Sequence, residues 1–162
     1  TTDAIIHPFK GFDLHLNILL RDPKYKDFVF KPTFSDGVTE EYDFSGNNVT
    51  SLNKYEFTMD PSYSFGKWKF WLTARYISRQ YVNKTNSLFF KGRWETFGGI
   101  GFTINKHFKL SLDLINILNQ KGASGDIGPA DLITDTSEYQ NYVMSGSFIR
   151  PFTMELGINV NF

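Results

Sequence analysis

Three histidines, a cluster of acids and a glycine-rich stretch are the residues of this 162-residue chain whose types could do chemistry. His7, His15 and His107 could ligate a metal, but they fall at or near short turns and are widely dispersed, whereas metal sites draw on closely spaced ligands. A structural or surface role is expected for each. Asp36, Glu40, Glu41 and Asp43 could attract calcium, yet their spacing matches no EF-hand loop, and a solvated loop is the better reading. Gly98, Gly99 and Gly101 do not form a phosphate loop, because no helix follows them. They sit within a strand pattern, where glycine marks a bulge or a close approach. The chain has no cysteine, which excludes thiol catalysis and Cys-based metal sites. No nucleophile–base pair can be assembled. The expectation is therefore no enzyme, no catalytic residue, no metal site and no cofactor.

Charge gives a second bound. Seventeen basic and 17 acidic residues cancel, so no basic excess points to nucleic acid. Six charged residues are instead notable for where they fall: Lys69, Arg75, Arg93, Glu95, Asp113 and Glu155 each lie out of phase with the apolar stripe of their segment. A β-strand sends successive side chains to opposite faces, so these six share the polar side of whatever strands carry them.

Those strands are legible along most of the chain. In the last eleven residues Phe152, Met154, Leu156, Ile158, Val160 and Phe162 alternate with polar or small residues without a break. Phe108, Leu110, Leu112 and Leu114 do the same. So do Tyr55 to Phe65, Phe12 to Leu20 with Leu19 out of phase, and Trp68 to Tyr76 with Trp71 out of phase. Phe90 to Ile104 follows with Phe97 out of phase, and Ala4 and Ile6 read as the tail of an incoming strand. Helical spacing explains none of these segments. The fold class is all-β: about seven antiparallel strands, many of about ten residues or longer, against roughly 5–6 in soluble proteins and ~9–11 for a tilted spanning strand.

The connections alternate in length. Residues 9–11, 66–67 and 105–107 are short; residues 22–53, 83–88 and 119–142 are longer, polar and rich in turn formers such as Asp36-Gly37, Ser45-Gly46-Asn47 and Gly122-Ala123-Ser124-Gly125-Asp126. Membrane barrels pair tight periplasmic turns with extended outer loops in this way. Aromatics make up 17% of the chain. Tyr63, Phe65 and Trp68 flank a short turn, and Tyr55, Tyr76, Phe90 and Trp94 lie toward the opposite strand ends, as two interfacial belts would require. No segment is long and apolar enough for a spanning helix. The expected lipid-facing set is Leu110, Leu112, Leu114, Leu156, Ile158 and Val160, and the six charged residues are candidates to line a wet lumen. Two alternatives share the same period: a complete eight-stranded outer-membrane barrel with a structural or adhesive role, and a soluble β-sandwich or lipocalin-like binder with the apolar face turned inward.

Several segments carry a family resemblance. His7-Pro8-Phe9-Lys10-Gly11-Phe12, Arg21-Asp22-Pro23-Lys24-Tyr25, Tyr42-Asp43-Phe44-Ser45-Gly46-Asn47, Leu112-Asp113-Leu114-Ile115-Asn116-Ile117-Leu118-Asn119 and the closing Arg150-Pro151-Phe152 through Phe162 resemble the C-terminal barrel of TonB-dependent outer-membrane receptors, of the type abundant in Bacteroidetes. The resemblance implies that residues 1–162 form the C-terminal portion of a barrel of about 22 strands. It also implies active uptake of a siderophore, cobalamin, glycan or peptide. The implied partners are the remainder of the barrel and the plug domain, the TonB complex, outer-membrane lipid, and the barrel assembly machinery, for which Phe162 resembles the terminal signal. The chain itself shows neither a plug nor a TonB box.

Overall fold

The computed structural model describes residues 1–124, 131–137 and 147–161. Seven strands form one antiparallel meander among them: β1 (Thr2–Ile6), β2 (Phe12–Leu20), β3 (Tyr55–Phe65), β4 (Trp68–Ile77), β5 (Arg93–Thr103), β6 (Phe108–Ile115) and β7 (Thr153–Val160). Each pairs with its sequence neighbours in the order β1 to β7, so the ends of the sheet, β1 and β7, are not joined to one another. This is an open piece of wall with two edges able to continue into further strands.

The register carries the alternation across the whole sheet. Leu112 faces Leu156 on β7 and Ile100 on β5; Ile100 faces Phe70, Phe70 faces Tyr63, and Tyr63 faces Phe12. Because pairing joins apolar to apolar across every strand, a single face is apolar from β1 to β7. Among the described residues nothing covers that face: Leu156 is 88% exposed and Ile158 72%. A closed sandwich or lipocalin-like interior would bury both residues, and the described residues do not form one. Among the described residues the sheet has seven strands and its ends do not pair, which is not the closed arrangement expected of a complete eight-stranded barrel.

Aromatics group toward both strand ends of the apolar face. Near the short turns Phe9 stacks on Phe12 at 5.0 Å and Trp68 lies 4.5 Å from Phe102. At the other end Tyr76 lies between Tyr55 and Trp94, at 6.0 and 5.3 Å. Leu14, Leu16, Met59, Leu72 and Ala74 occupy the strand middles between them.

The short turns follow from local chemistry. Gly11 has φ +83°, and a Cβ there would meet the Ser64 carbonyl oxygen at 2.3 Å, so the Pro-Phe-Lys-Gly turn admits only glycine at its last position. In the β5–β6 turn, Asn105 Oδ1 accepts from the amides of His107 and Phe108, an Asx turn.

Four details differ from the sequence expectation. Phe90 does not open β5: it pairs with Gln80 in a small hairpin, Gln80–Tyr81 with Phe89–Phe90, which lengthens that connection to residues 78–92. Phe90 therefore leaves the outer aromatic belt. The first long loop holds a hairpin of its own, Val29–Phe30 with Tyr42–Asp43. The glycines of β5 make no bulge, because the β4–β5 register runs unbroken from Trp68 opposite Phe102 to Ile77 opposite Arg93. They make room instead: a Cβ at Gly99 would lie 2.5 Å from Trp71 Nε1, so the out-of-phase indole of Trp71 lies against the glycine opposite it. The expectations for Phe162, for Gly125 and Asp126 and for parts of the third long loop lie outside the described residues.

Candidate functional site

The polar face of the sheet and the loops above it are the parts that could meet a solute. All six charged residues singled out in the sequence lie on this face. Arg75 is opposite Glu95, Arg93 opposite Ile77, Lys69 opposite Gly101 and Ser64, and Asp113 opposite Glu155. The face they share is thus a matter of register.

The structure divides the six into three groups. Arg75, Arg93 and Glu95 meet near the long-loop end of the strands. Glu95 accepts from Arg75 Nη2 on one oxygen and lies 3.1 Å from Arg93 Nη2 on the other; Glu56 joins at 3.8 Å from Arg75. Two guanidiniums and two carboxylates balance, and Gln80 accepts from Arg93 at 3.4 Å. Asp113 and Glu155 form a second group. Two like charges directly opposite each other repel, and each has its own relief: Glu155 pairs with Arg150 at 2.6 Å, and Asp113 accepts from Ser111 Oγ at 3.0 Å. Lys69 stands apart from both groups and has no carboxylate partner among the described residues.

A further polar group was not among the candidates. His15 lies between two carboxylates, with Nε2 at 2.6 Å from Asp3 and Nδ1 at 3.6 Å from Asp60; Asn17 donates to Asp3, and Thr73 Oγ1 donates to Asp60 at 2.5 Å. The signal was available, since all five share the parity of Arg75. His15 was set aside for its nearness to a turn. His7 pairs with Asp13 at 2.6 Å, and His107 Nδ1 meets the Asn161 carbonyl at 2.8 Å. Each histidine thus makes its own polar contact, and among the described residues no group of three or more His, Asp or Glu side chains is placed to hold a metal ion.

The long loops pack on one another above the sheet. Asn83 is fully buried; its Nδ2 donates to Thr85, to Ser87 and to the Ile133 carbonyl, and its Oδ1 accepts from the Leu88 amide. Asn86 exchanges hydrogen bonds with Asn48 of the first loop, and Lys84 pairs with Asp131 of the third. Val82, Phe44 and Ile133 are buried beside this network. The loop acids are used singly: Glu41 pairs with Lys31 at 2.6 Å, Asp36 accepts from the Val38 amide, and Asp43 accepts from the Ser45 amide at 2.8 Å. The hydrogen bonds from Ser45 hold the Asp43 carboxyl below its ordinary pKa.

No protein-family model and no curated protein matches the sequence. Solved structures do match it. The chain superposes over 98% of its length on the siderophore receptor PiuA from Acinetobacter baumannii, with a TM-score of 0.78 at 12% identity, covering 20% of that chain. The ferric preacinetobactin receptor BauA from the same organism gives 0.63 at 16% identity over 96% of this chain and 20% of the other. The ferripyoverdine receptor of the outer membrane of Pseudomonas aeruginosa gives 0.61 at 13% over 99% and 19%. The likeness is one of fold: the chain has the architecture of a segment of an outer-membrane receptor barrel, and it spans about a fifth of the receptors it matches.

Proposed function

We propose that the chain is part of the wall of a TonB-dependent outer-membrane receptor that imports a scarce nutrient. The observation that carries this reading is the single apolar face running unbroken across seven strands, on a sheet whose two edges are free to continue into a larger barrel. In an outer membrane that face meets lipid through Leu110, Leu112, Leu114, Leu156, Ile158 and Val160. The opposite face, with Lys69, Arg75, Arg93, Glu95, Asp113 and Glu155, borders the lumen and its plug. Charges on the lipid side at mid-depth would cost about 2–4 kcal/mol each; on the wet side they are tolerated and pair with one another. The wall performs no bond chemistry. Residues 1–162 act as the C-terminal portion of the barrel, with TonB engaged elsewhere in the receptor and Phe162 presented to the barrel assembly machinery. Ferric siderophores are the ligand class to try first, because PiuA, which shares this fold, is a siderophore receptor; cobalamin, glycans and peptides follow.

These 162 residues contain no cysteine, so, with any cysteine elsewhere in the receptor replaced by serine, a direct test is possible. In the complete receptor, in its native outer membrane, single cysteines at Asp113 and Glu155 should react with a small water-soluble thiol reagent, while cysteines at Leu112 and Leu156 should not. The opposite pattern would overturn the assignment of the two faces. Energised uptake of labelled ferric siderophore, cobalamin, glycan or peptide should disappear with the gene; if none of the four does, the transport reading fails.

A further inference from the structure

A basic and aromatic cleft opens at the long-loop end of β3 and β4. It has a volume of about 530 Å³ and is lined by Lys54, Arg79 and Lys91 together with Tyr55, Tyr76 and Phe89. Its position follows from the register: Tyr55 and Tyr76 belong to the apolar face and stack at 6.0 Å in the aromatic group that ends that face. The cleft therefore lies where the lipid-facing surface stops, and not on the polar face that borders the lumen.

Its cations are held ready for an anion. Arg79 rests over the Phe89 ring at 4.6 Å and donates to the Tyr81 hydroxyl at 3.4 Å, so its guanidinium is oriented by aromatics and not by an acid. Neither Arg79 nor Lys91 has a carboxylate partner among the described residues. Lys54 shares Asp22 with Lys24, each 3.4 Å from it. A second cleft of about 620 Å³ adjoins the first through Phe89, Lys91 and Gly92 and adds Lys121, with the ion-paired Arg93 where it meets the polar face. The result is a row of cations over an aromatic floor at a membrane interface, an arrangement suited to acidic lipid headgroups, with the aromatic rings at headgroup depth.

We infer that this cleft holds the phosphate-bearing headgroup of an outer-leaflet lipid. Phosphate oxygens would accept from Arg79 and Lys91, and the acyl chains would continue down the apolar face past Tyr55 and Tyr76. The inference rests on the membrane orientation proposed above and adds a lipid ligand distinct from any transported solute.

The test uses the complete receptor purified from outer membranes in mild detergent, with retained phospholipid and lipopolysaccharide counted by native mass spectrometry. Arg79→Gln with Lys91→Gln should reduce bound phosphorylated lipid about 30-fold, each cation near a headgroup being worth roughly fivefold. Lys106→Glu, at the opposite end of the strands, should change nothing. Both variants should keep the heat-modifiable gel mobility of a folded barrel. Adding back lipid with its phosphates removed should give no occupancy, and millimolar inorganic phosphate should not displace the phosphorylated lipid. Equal retention in wild type and the double variant would overturn the inference, as would full displacement by inorganic phosphate or by a soluble anionic solute. A receptor absent from the outer-membrane fraction would instead defeat the functional reading, so the two failures are separable.

Discussion

Asn116 joins the top of β6 to the start of β7: its Nδ2 donates to the Arg150 carbonyl at 2.9 Å, across a loop of more than thirty residues. The same amide donates to the Gln120 carbonyl at 2.9 Å, and its Oδ1 accepts from the Gln120 amide. Asn116 is 4% exposed and has φ +52°, a conformation that asparagine tolerates better than most residues. The asparagine that follows the Leu-Asp-Leu-Ile stretch is thus a clasp that turns the chain out of β6 and fixes where the last strand begins.

Replacing Asn116 tests the clasp. Asn116→Ala removes the hydrogen bonds and strains the backbone, and should destabilise the folded barrel by about 2–4 kcal/mol. Asn116→Gly loses the same bonds without the strain and should cost less. Urea unfolding from lipid vesicles measures both, and an alanine variant no less stable than the glycine variant would refute the backbone part of the argument.

Depth should govern substitutions on the apolar face. Leu112 lies in the middle of β6 and Phe108 at its end. Leu112→Arg should cost about 2–4 kcal/mol and Phe108→Arg about 0–1, because the penalty falls toward the interface. The same unfolding measurement applies, and equal costs at the two depths would contradict a bilayer around this surface.

Gly99 should resist any side chain. A Cβ there would lie 2.5 Å from Trp71 Nε1 and 2.8 Å from the Leu112 carbonyl oxygen. Gly99→Ala should destabilise by about 1–3 kcal/mol. In a Trp71→Ala background the penalty should shrink but persist, since the backbone contact remains. A double-mutant cycle reads the difference.

Acid should loosen one turn of the first loop before the sheet. Hydrogen bonds from the Ser45 side chain and backbone hold the Asp43 carboxyl below its ordinary pKa. A depressed folded-state pKa contributes stability that is present above the unfolded value and lost as pH falls through the folded one. Protection of the Ser45 amide from hydrogen exchange should therefore decline at acid pH. Asp43→Asn should keep the turn and abolish that pH dependence; an unchanged profile would rule out Asp43 as its source.

The two faces of the sheet were readable residue by residue. Leu112 and Asp113 fall on opposite sides because the backbone alternates them, and no distant contact is needed to know it. The short turns were equally local, whereas the need for glycine at position 11 comes partly from the Ser64 carbonyl that pairing of β2 with β3 brings against it. Phe90 was misassigned because alternation alone cannot tell the end of a long strand from a short hairpin above it. Trp71 looked like a flaw in the pattern until the register set it opposite Gly99.

The alternation was enough to give the number of long strands, their boundaries to within a few residues, the sidedness of nearly every residue on them and the places where the chain turns. All of these follow from a repeat of two residues and from the steric demands of individual turns. It took the folded chain to place Glu95 between Arg75 and Arg93, to set His15 between Asp3 and Asp60, and to close Asn83 on Ile133, 50 positions away. Sidedness is a property of the local backbone. Which side chains meet depends on register, on the reach of long side chains and on how the loops close, and these are settled only when segments far apart in the chain come together.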